Sequence, residues 1–81
     1  MKPHIRIYLK YFGYGIDDTI LCERCNSKAT DIHHIVYKSQ GGKDTIYNLI
    51  ALCRDCHNLA HNEQISKEEL TTIHNANITQ A

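Results

Sequence analysis

Apolar positions near the start of the chain recur with the period of an α-helix. Four of them stand at i, i+3, i+4 and i+7, which is the spacing of one helix face: Ile5, Tyr8, Leu9 and Phe12. Pro3 suits a first helical position, because a missing N–H costs nothing there. Gly13 and Gly15 suit a helix end. The pattern therefore predicts a short amphipathic helix that begins at Pro3 and ends near these glycines.

Two later runs are apolar or β-branched and predict strands. They cover residues 31–36 and residues 46–52. The segment between them, residues 39–44, is polar and contains two consecutive glycines, which is typical of a loop. The strands should therefore be joined through this loop.

Two helices are predicted in the last third of the chain. The first begins at the second cysteine pair, Cys53 and Cys56. Ser66 and Glu69 form a capping box for the second, whose buried positions are Leu70 and Ile73. Without repeats or linkers, the pattern predicts a single α+β domain that spans residues 1–81.

Composition indicates that the hydrophobic core alone would stabilise this domain only weakly. The chain has 81 residues, no Trp, one Phe and one Met, so it can bury only a small core. A structural metal commonly stabilises domains of this size. Four cysteines occur as two C-x-x-C pairs, the spacing that suits a closed four-thiolate zinc site: Cys22, Cys25, Cys53 and Cys56.

The alternative use of four cysteines is two disulfides, which would be the default in a secreted protein. The first residues do not resemble a signal peptide or a membrane span, because Lys2, Arg6 and Lys10 interrupt the apolar stretch. We therefore expect a cytoplasmic protein that is not attached to a membrane, and a zinc site in place of disulfides.

Four histidines lie among or beside the cysteines and predict a second metal site. Adjacent side chains on a strand point to opposite faces, so only one of His33 and His34 should bind a given ion. His57 and His61 are four residues apart on a helix and can bind one ion together. We expect His33, His57 and His61 to be ligands with open positions left on the ion. His34 then remains free to act as a base.

Charge alone does not identify a nucleic-acid-binding protein. Nine basic residues balance nine acidic residues, so the formal net charge is zero. Any electrostatic contact with a nucleic acid must then be local. The candidates for it are Arg24, Lys38, Lys43 and Arg54.

These motifs together resemble the HNH endonuclease family, in its cysteine-bearing branch from phages and bacteria. The resemblance covers about residues 20–62. It is carried by Asp-Ile-His-His-Ile at 31–35, Gly-Gly at 41–42 and the run from Asn48 to His57, all between and around the paired cysteines. It implies a small ββα-metal (His-Me finger) core with a four-cysteine structural zinc, flanked by an N-terminal and a C-terminal helix.

The resemblance also implies roles for individual residues. The general base would be His34, and Asn48 would tie down the loop and help orient that base. The ligands of the catalytic ion would be His33, His57 and His61, and the ion Mg²⁺, Mn²⁺, Ni²⁺ or Zn²⁺. The implied activity is metal-dependent hydrolysis of phosphodiester bonds in DNA, by nicking or double-strand cleavage. A phage packaging or restriction protein is an implied partner.

Two other functions fit part of the sequence. A non-catalytic zinc-ribbon module that binds nucleic acid or protein would explain the cysteines and the neutral charge, but would leave the four clustered histidines without a purpose. A thiol redox protein would use one C-x-x-C pair and explain neither the second pair nor the histidines. His4 and His74 lie outside the motifs, and we expect them to be surface or core residues without a role.

Overall fold

Two short antiparallel strands lie at the centre of the fold, and three helices pack around them. The computed structural model describes residues 2–80. The elements in chain order are α1 (Pro3–Phe12), β1 (Asp31–His34), β2 (Leu49–Leu52), α2 (Arg54–His61) and α3 (Lys67–Gln80). This confirms the predicted α+β class and the ββα arrangement of two strands followed by a helix.

Strand β2 is buried on both faces, which explains why its sequence is apolar throughout. Leu49 and Ala51 pack with Tyr8 of α1 on one face. Ile50 and Leu52 face the other way and belong to the core beneath α2 and α3. A strand covered on both sides has no polar face, so its alternation disappears from the sequence.

The helix ends agree with their sequence signals. Gly13 ends α1 in the left-handed conformation with φ of 73°, and its N–H returns to the carbonyls of Leu9 and Lys10. At the start of α3, the Ser66 hydroxyl accepts a hydrogen bond of 3.0 Å from the Glu69 N–H. Both boundaries are therefore confirmed.

Both strands are shorter than predicted. β1 ends at His34 rather than at residue 36, and Ile46–Asn48 forms a 3₁₀ turn where a strand was expected. The Asn48 side chain replaces a backbone partner here: its Oδ1 accepts from the Val36 N–H at 2.8 Å, and its Nδ2 donates to the Val36 carbonyl at 3.0 Å. These side-chain bonds take the place of strand pairing beyond His34, where the chain turns away from the sheet. A pattern of apolar residues does not predict such side-chain bonds.

A buried polar network joins both flanking helices to the first cysteine turn. Glu23 receives hydrogen bonds from Tyr8 of α1 at 2.7 Å and from Asn77 of α3 at 2.9 Å. His74 of α3 lies 2.9 Å from the same carboxylate and is fully buried. The terminal helices are thus fixed to the metal-binding core by polar contacts as well as apolar packing.

Among the described residues, no helix is long and apolar enough to cross a membrane.

Candidate metal centres and active site

The four cysteines converge on one point, although they come from two distant turns. Their Sγ atoms all lie within 4.8 Å of one another, and those of Cys25 and Cys53 are 3.6 Å apart. A tetrahedral zinc site with Zn–S bonds of about 2.3 Å requires sulfurs about 3.8 Å apart. All four cysteines are free. The sulfurs therefore fit a zinc ion, as the sequence predicted, and do not form disulfides.

Local structure prepares this cysteine centre for a metal. Cys53 is the N-cap of α2, and its sulfur accepts a hydrogen bond of 3.4 Å from the Cys56 N–H. Hydrogen bonds from Ser27, and then from Cys53, lower the pKa of Cys25 to about 6. A thiolate is therefore available at neutral pH, and thiolates are the form that binds metal.

Three imidazoles form a second cluster, the three-imidazole cluster, made of His33 from β1 and His57 and His61 from α2. One nitrogen from each lies within 4.8 Å of the others, and the two Nε2 atoms of the helical pair are 3.1 Å apart. Metal–nitrogen bonds of about 2.0–2.1 Å at right angles would place ligands about 3 Å apart. The predicted ligand set is therefore brought together in the fold.

The lowered pKa values of two of these imidazoles favour metal binding. Burial, and then the proximity of His57 and His61, lowers the pKa of His33 to about 4. Burial is also the main cause of the lowered pKa of His57. Neutral rings with free electron pairs are the form that binds a cation.

The second nitrogen of His57 supplies an independent test of fit. His57 Nδ1 is buried and has no hydrogen-bond partner among the described residues. It lies 3.5 Å from Asp31 Oδ2, which also lies 3.6 Å from Arg54. A ligand histidine usually directs its other N–H at a carboxylate, which fixes the ring. With Nε2 on an ion and Nδ1–H towards Asp31, the arrangement fits a metal centre.

His34 points away from this cluster and pairs with Asp44. Its Nε2 lies 2.7 Å from Asp44 Oδ1, and Lys38 donates to the other carboxylate oxygen at 3.2 Å. The hydrogen bond with His34, and then that with Lys38, lowers the pKa of Asp44. His33 and His34 nevertheless line the same groove of about 290 Å³, together with His57, His61 and Lys38. Substrate in this groove would reach both groups.

Asn48 braces the loop that carries Asp44. Besides its two bonds to Val36, its Nδ2 donates to the Lys43 carbonyl at 3.1 Å. Gly42 is needed in the same place, because a Cβ there would collide with the Val36 carbonyl. The predicted tie on the loop is present. The side chain that forms a hydrogen bond with His34 is that of Asp44.

The predicted basic residues are divided between two regions. Lys38 lies at the groove, Lys43 is exposed on the adjoining loop, and Arg54 is exposed beside Asp31. Arg24 instead lies at the cysteine centre, where it donates to Cys56 Sγ at 3.6 Å and lies 3.8 Å from Glu69. Its position indicates a contact to the cysteine sulfurs and to α3.

Sequence reasoning missed several neighbours of the site. Asp31 and Asp44 had a weak signal, as acidic residues beside the histidine doublet and the glycine pair. His4 had none: α1 places its ring 4.6 Å from that of His34. Tyr37 stacks on His61 with centroids 5.7 Å apart and meets His33 edge-on at 5.8 Å. It thus limits how the ligand rings can move.

Comparisons with known proteins agree with this geometry. The family model described as HNH endonuclease matches residues 22–63. The chain is 31% identical, over 82 residues, to the type IV methyl-directed restriction enzyme EcoKMcrA of Escherichia coli (strain K12), an alignment that covers 89% of this chain and 28% of that protein. It is 37% identical over 46 residues to anaredoxin of Nostoc sp. (strain PCC 7120), covering 57% of this chain and 59% of that protein. The chain therefore spans less than two thirds of the length of either relative.

Proposed function

The chain belongs to the HNH endonuclease family, and we propose that it is a metal-dependent endonuclease that hydrolyses phosphodiester bonds in DNA with His34 as general base. The observation that carries the proposal is the shared groove, in which the three-imidazole cluster and His34 lie side by side. The similarity to a methyl-directed restriction enzyme over most of this chain supports DNA as the substrate. The family match supports nuclease activity in general.

His33, His57 and His61 would hold one divalent ion, which would neutralise charge on the scissile phosphate and the leaving oxygen. Nitrogen ligands favour Zn²⁺, Ni²⁺ or Mn²⁺ over Mg²⁺. Asp31 and Tyr37 keep the rings in place, because one faces His57 Nδ1 and the other packs on His61. The four cysteines would hold a structural zinc.

His34 is prepared to accept a proton by its pairing with Asp44. An ionised Asp44 carboxylate can only accept a hydrogen bond, so His34 would donate from Nε2 in this contact. Nδ1 then keeps its electron pair and can take a proton from a water molecule that attacks the phosphorus. Asn48 holds the loop that presents Asp44 and thereby supports the orientation of the base indirectly.

Phosphate contacts would come from Lys38, Lys43 and Arg54 near the groove. A chain of zero formal net charge has little long-range attraction for DNA, so binding should be weak, salt-sensitive and poorly selective for sequence. A partner protein, of a phage packaging or restriction system, would then supply targeting.

The second candidate function is a non-catalytic module that binds nucleic acid or protein through the cysteine centre. The neutral charge favours it. It requires only one tightly bound zinc, whereas the nuclease requires a second divalent ion at the histidines. Thiol redox chemistry is less consistent with the fold, because all four sulfurs converge on one point.

Plasmid nicking beside calorimetric titration of divalent ions tests the proposal. His34→Ala should keep the fold and both ions yet lose about 10²–10⁴-fold in rate, the usual effect of removing a general base. His57→Ala and His33→Ala should lose activity because the second ion binds weakly. Asn58→Ala, an exposed neighbour on α2, is the matched control. Cleavage by His34→Ala at the parental rate would refute the assignment.

A further inference from the structure

A third set of metal-binding groups lies beside the proposed base. His4, His34 and Asp44 each offer one ligand atom, and these atoms lie within 4.8 Å of one another. His4 comes from α1, outside residues 22–63 that match the family model. The set is therefore a feature of this chain's N-terminal helix placed against the nuclease core.

The chemistry of the set suits zinc. Two imidazoles and one carboxylate are a ligand combination found in zinc sites that keep one position open. The separation of His34 Nε2 and Asp44 Oδ1 is 2.7 Å, and tetrahedral zinc with bonds of about 2.0–2.2 Å would place these two atoms about 3.4 Å apart. Only a small outward movement of Asp44 or His34 would admit an ion.

The charges around the set favour modest affinity. Burial, and then the proximity of His34, lowers the pKa of His4, so its ring is neutral at physiological pH. Lys38 donates a hydrogen bond to the other carboxylate oxygen of Asp44, and the charge of Lys2 also lowers the pKa of His4. Two cations beside the position make it weaker for a dication than the four-cysteine centre, which has four thiolates to offer.

We propose that His4, His34 and Asp44 form a third metal site, which binds Zn²⁺ when zinc is in excess and thereby withdraws His34 from DNA cleavage. Zinc on His34 Nε2 would require the proton of the neutral ring to move to Nδ1, and Nδ1–H could then no longer accept a proton from water. Zinc binding at this site stands independently of catalysis. Its inhibitory effect rests on the function proposed above.

Zinc titration of the full chain tests the site directly. Protein carrying one zinc at the cysteines should bind two further equivalents of Zn²⁺, one at the three-imidazole cluster and one at the third site. His4→Ala should bind one further equivalent, and Lys10→Ala, exposed on the same helix, should bind two. A wild-type chain that binds only one, or a His4→Ala variant that still binds two, would overturn the proposal. His4→Gln, checked by circular dichroism, serves if His4→Ala fails to fold.

Inhibition is measured by plasmid nicking in Mn²⁺ with increasing Zn²⁺. Each protein is compared with its own rate without added zinc. His4→Ala should need at least about tenfold more zinc for half-inhibition than the parent, since tenfold is the effect of a 1.4 kcal/mol loss in zinc affinity. Equal zinc sensitivity in both proteins would overturn the inhibitory role. If neither protein cleaves DNA, the nuclease proposal fails, while the stoichiometry still decides whether the site exists.

Discussion

Replacing His74 with alanine should destabilise the fold strongly, although His74 lies outside every candidate site. Its side chain is 0% exposed, and its Nδ1 lies 2.9 Å from both carboxylate oxygens of Glu23. Its Nε2 faces the carbonyl oxygen of Ile46. Both ring nitrogens thus lie within hydrogen-bond distance of oxygen atoms. The sequence predicts that His74 is a surface or core residue without a role; it is a core residue, but these contacts give it a structural role.

The magnitude follows from the burial of both partners. The Glu23 side chain is only 6% exposed, so removal of His74 leaves a carboxylate with little access to water. Removing one partner of a buried charged pair typically costs about 3–5 kcal/mol. Domains of this size lose about 4–8 °C in melting temperature per kcal/mol. We therefore expect the melting temperature to fall by at least about 12 °C. The corresponding loss of about 3–5 kcal/mol is a large part of a total stability of about 5–15 kcal/mol.

The assay is thermal unfolding by circular dichroism with zinc present, and zinc content is measured in parallel. The variants are His74→Ala, Glu23→Ala, the double variant, and Asn75→Ala as an exposed control on the same helix. The double variant should lose less free energy of unfolding than the two single variants lose together, because it leaves no unpaired charge. A free energy of unfolding for His74→Ala that lies within about 1 kcal/mol of the parent's value would contradict this expectation.

Further predictions address the site, the zinc, pH and salt. Asp44→Asn should slow nicking about 10–100-fold with unchanged ion affinity at the three-imidazole cluster; an unchanged rate would contradict its orienting role. Cys53→Ser should lose zinc and cooperative unfolding, since zinc contributes on the order of 10 kcal/mol in small domains; a cooperatively folded, zinc-free variant would disprove this. Burial alone would raise the pKa of Glu23, but hydrogen bonds from His74, Asn77 and Tyr8 lower it. The contribution of Glu23 to folding stability is therefore present above its ordinary pKa of 4.5 and is lost as the pH falls through the lowered pKa. The free energies of unfolding of Glu23→Gln and of the parent should therefore converge at acid pH. DNA affinity should fall steeply between low and physiological salt in binding titrations, and tight salt-resistant binding to one sequence would argue against phosphate contacts.

Elements whose signals are local could be predicted from the amino-acid sequence alone. The end of α1 at Gly13 depends on one residue that adopts a positive φ. The start of α3 depends on Ser66 and a backbone N–H three residues later. His57 and His61 share a face because a helix repeats every 3.6 residues, and this follows once the helix is assigned. The cysteine spacing likewise predicted a metal centre, because a tight turn lets each pair face one ion.

The groups that contact these residues from elsewhere in the chain could be identified only from the folded structure. Asp44 reaches His34 because Gly42 lets the loop close on Val36, and His4 arrives there because α1 packs on β2. The contact between Glu23 and His74 spans 51 positions, and no local sequence pattern around either residue predicts it. Such contacts depend on how separately formed elements pack together. Their physical origin is the burial of apolar faces, which fixes where a polar side chain lies without leaving a periodic signal in the sequence.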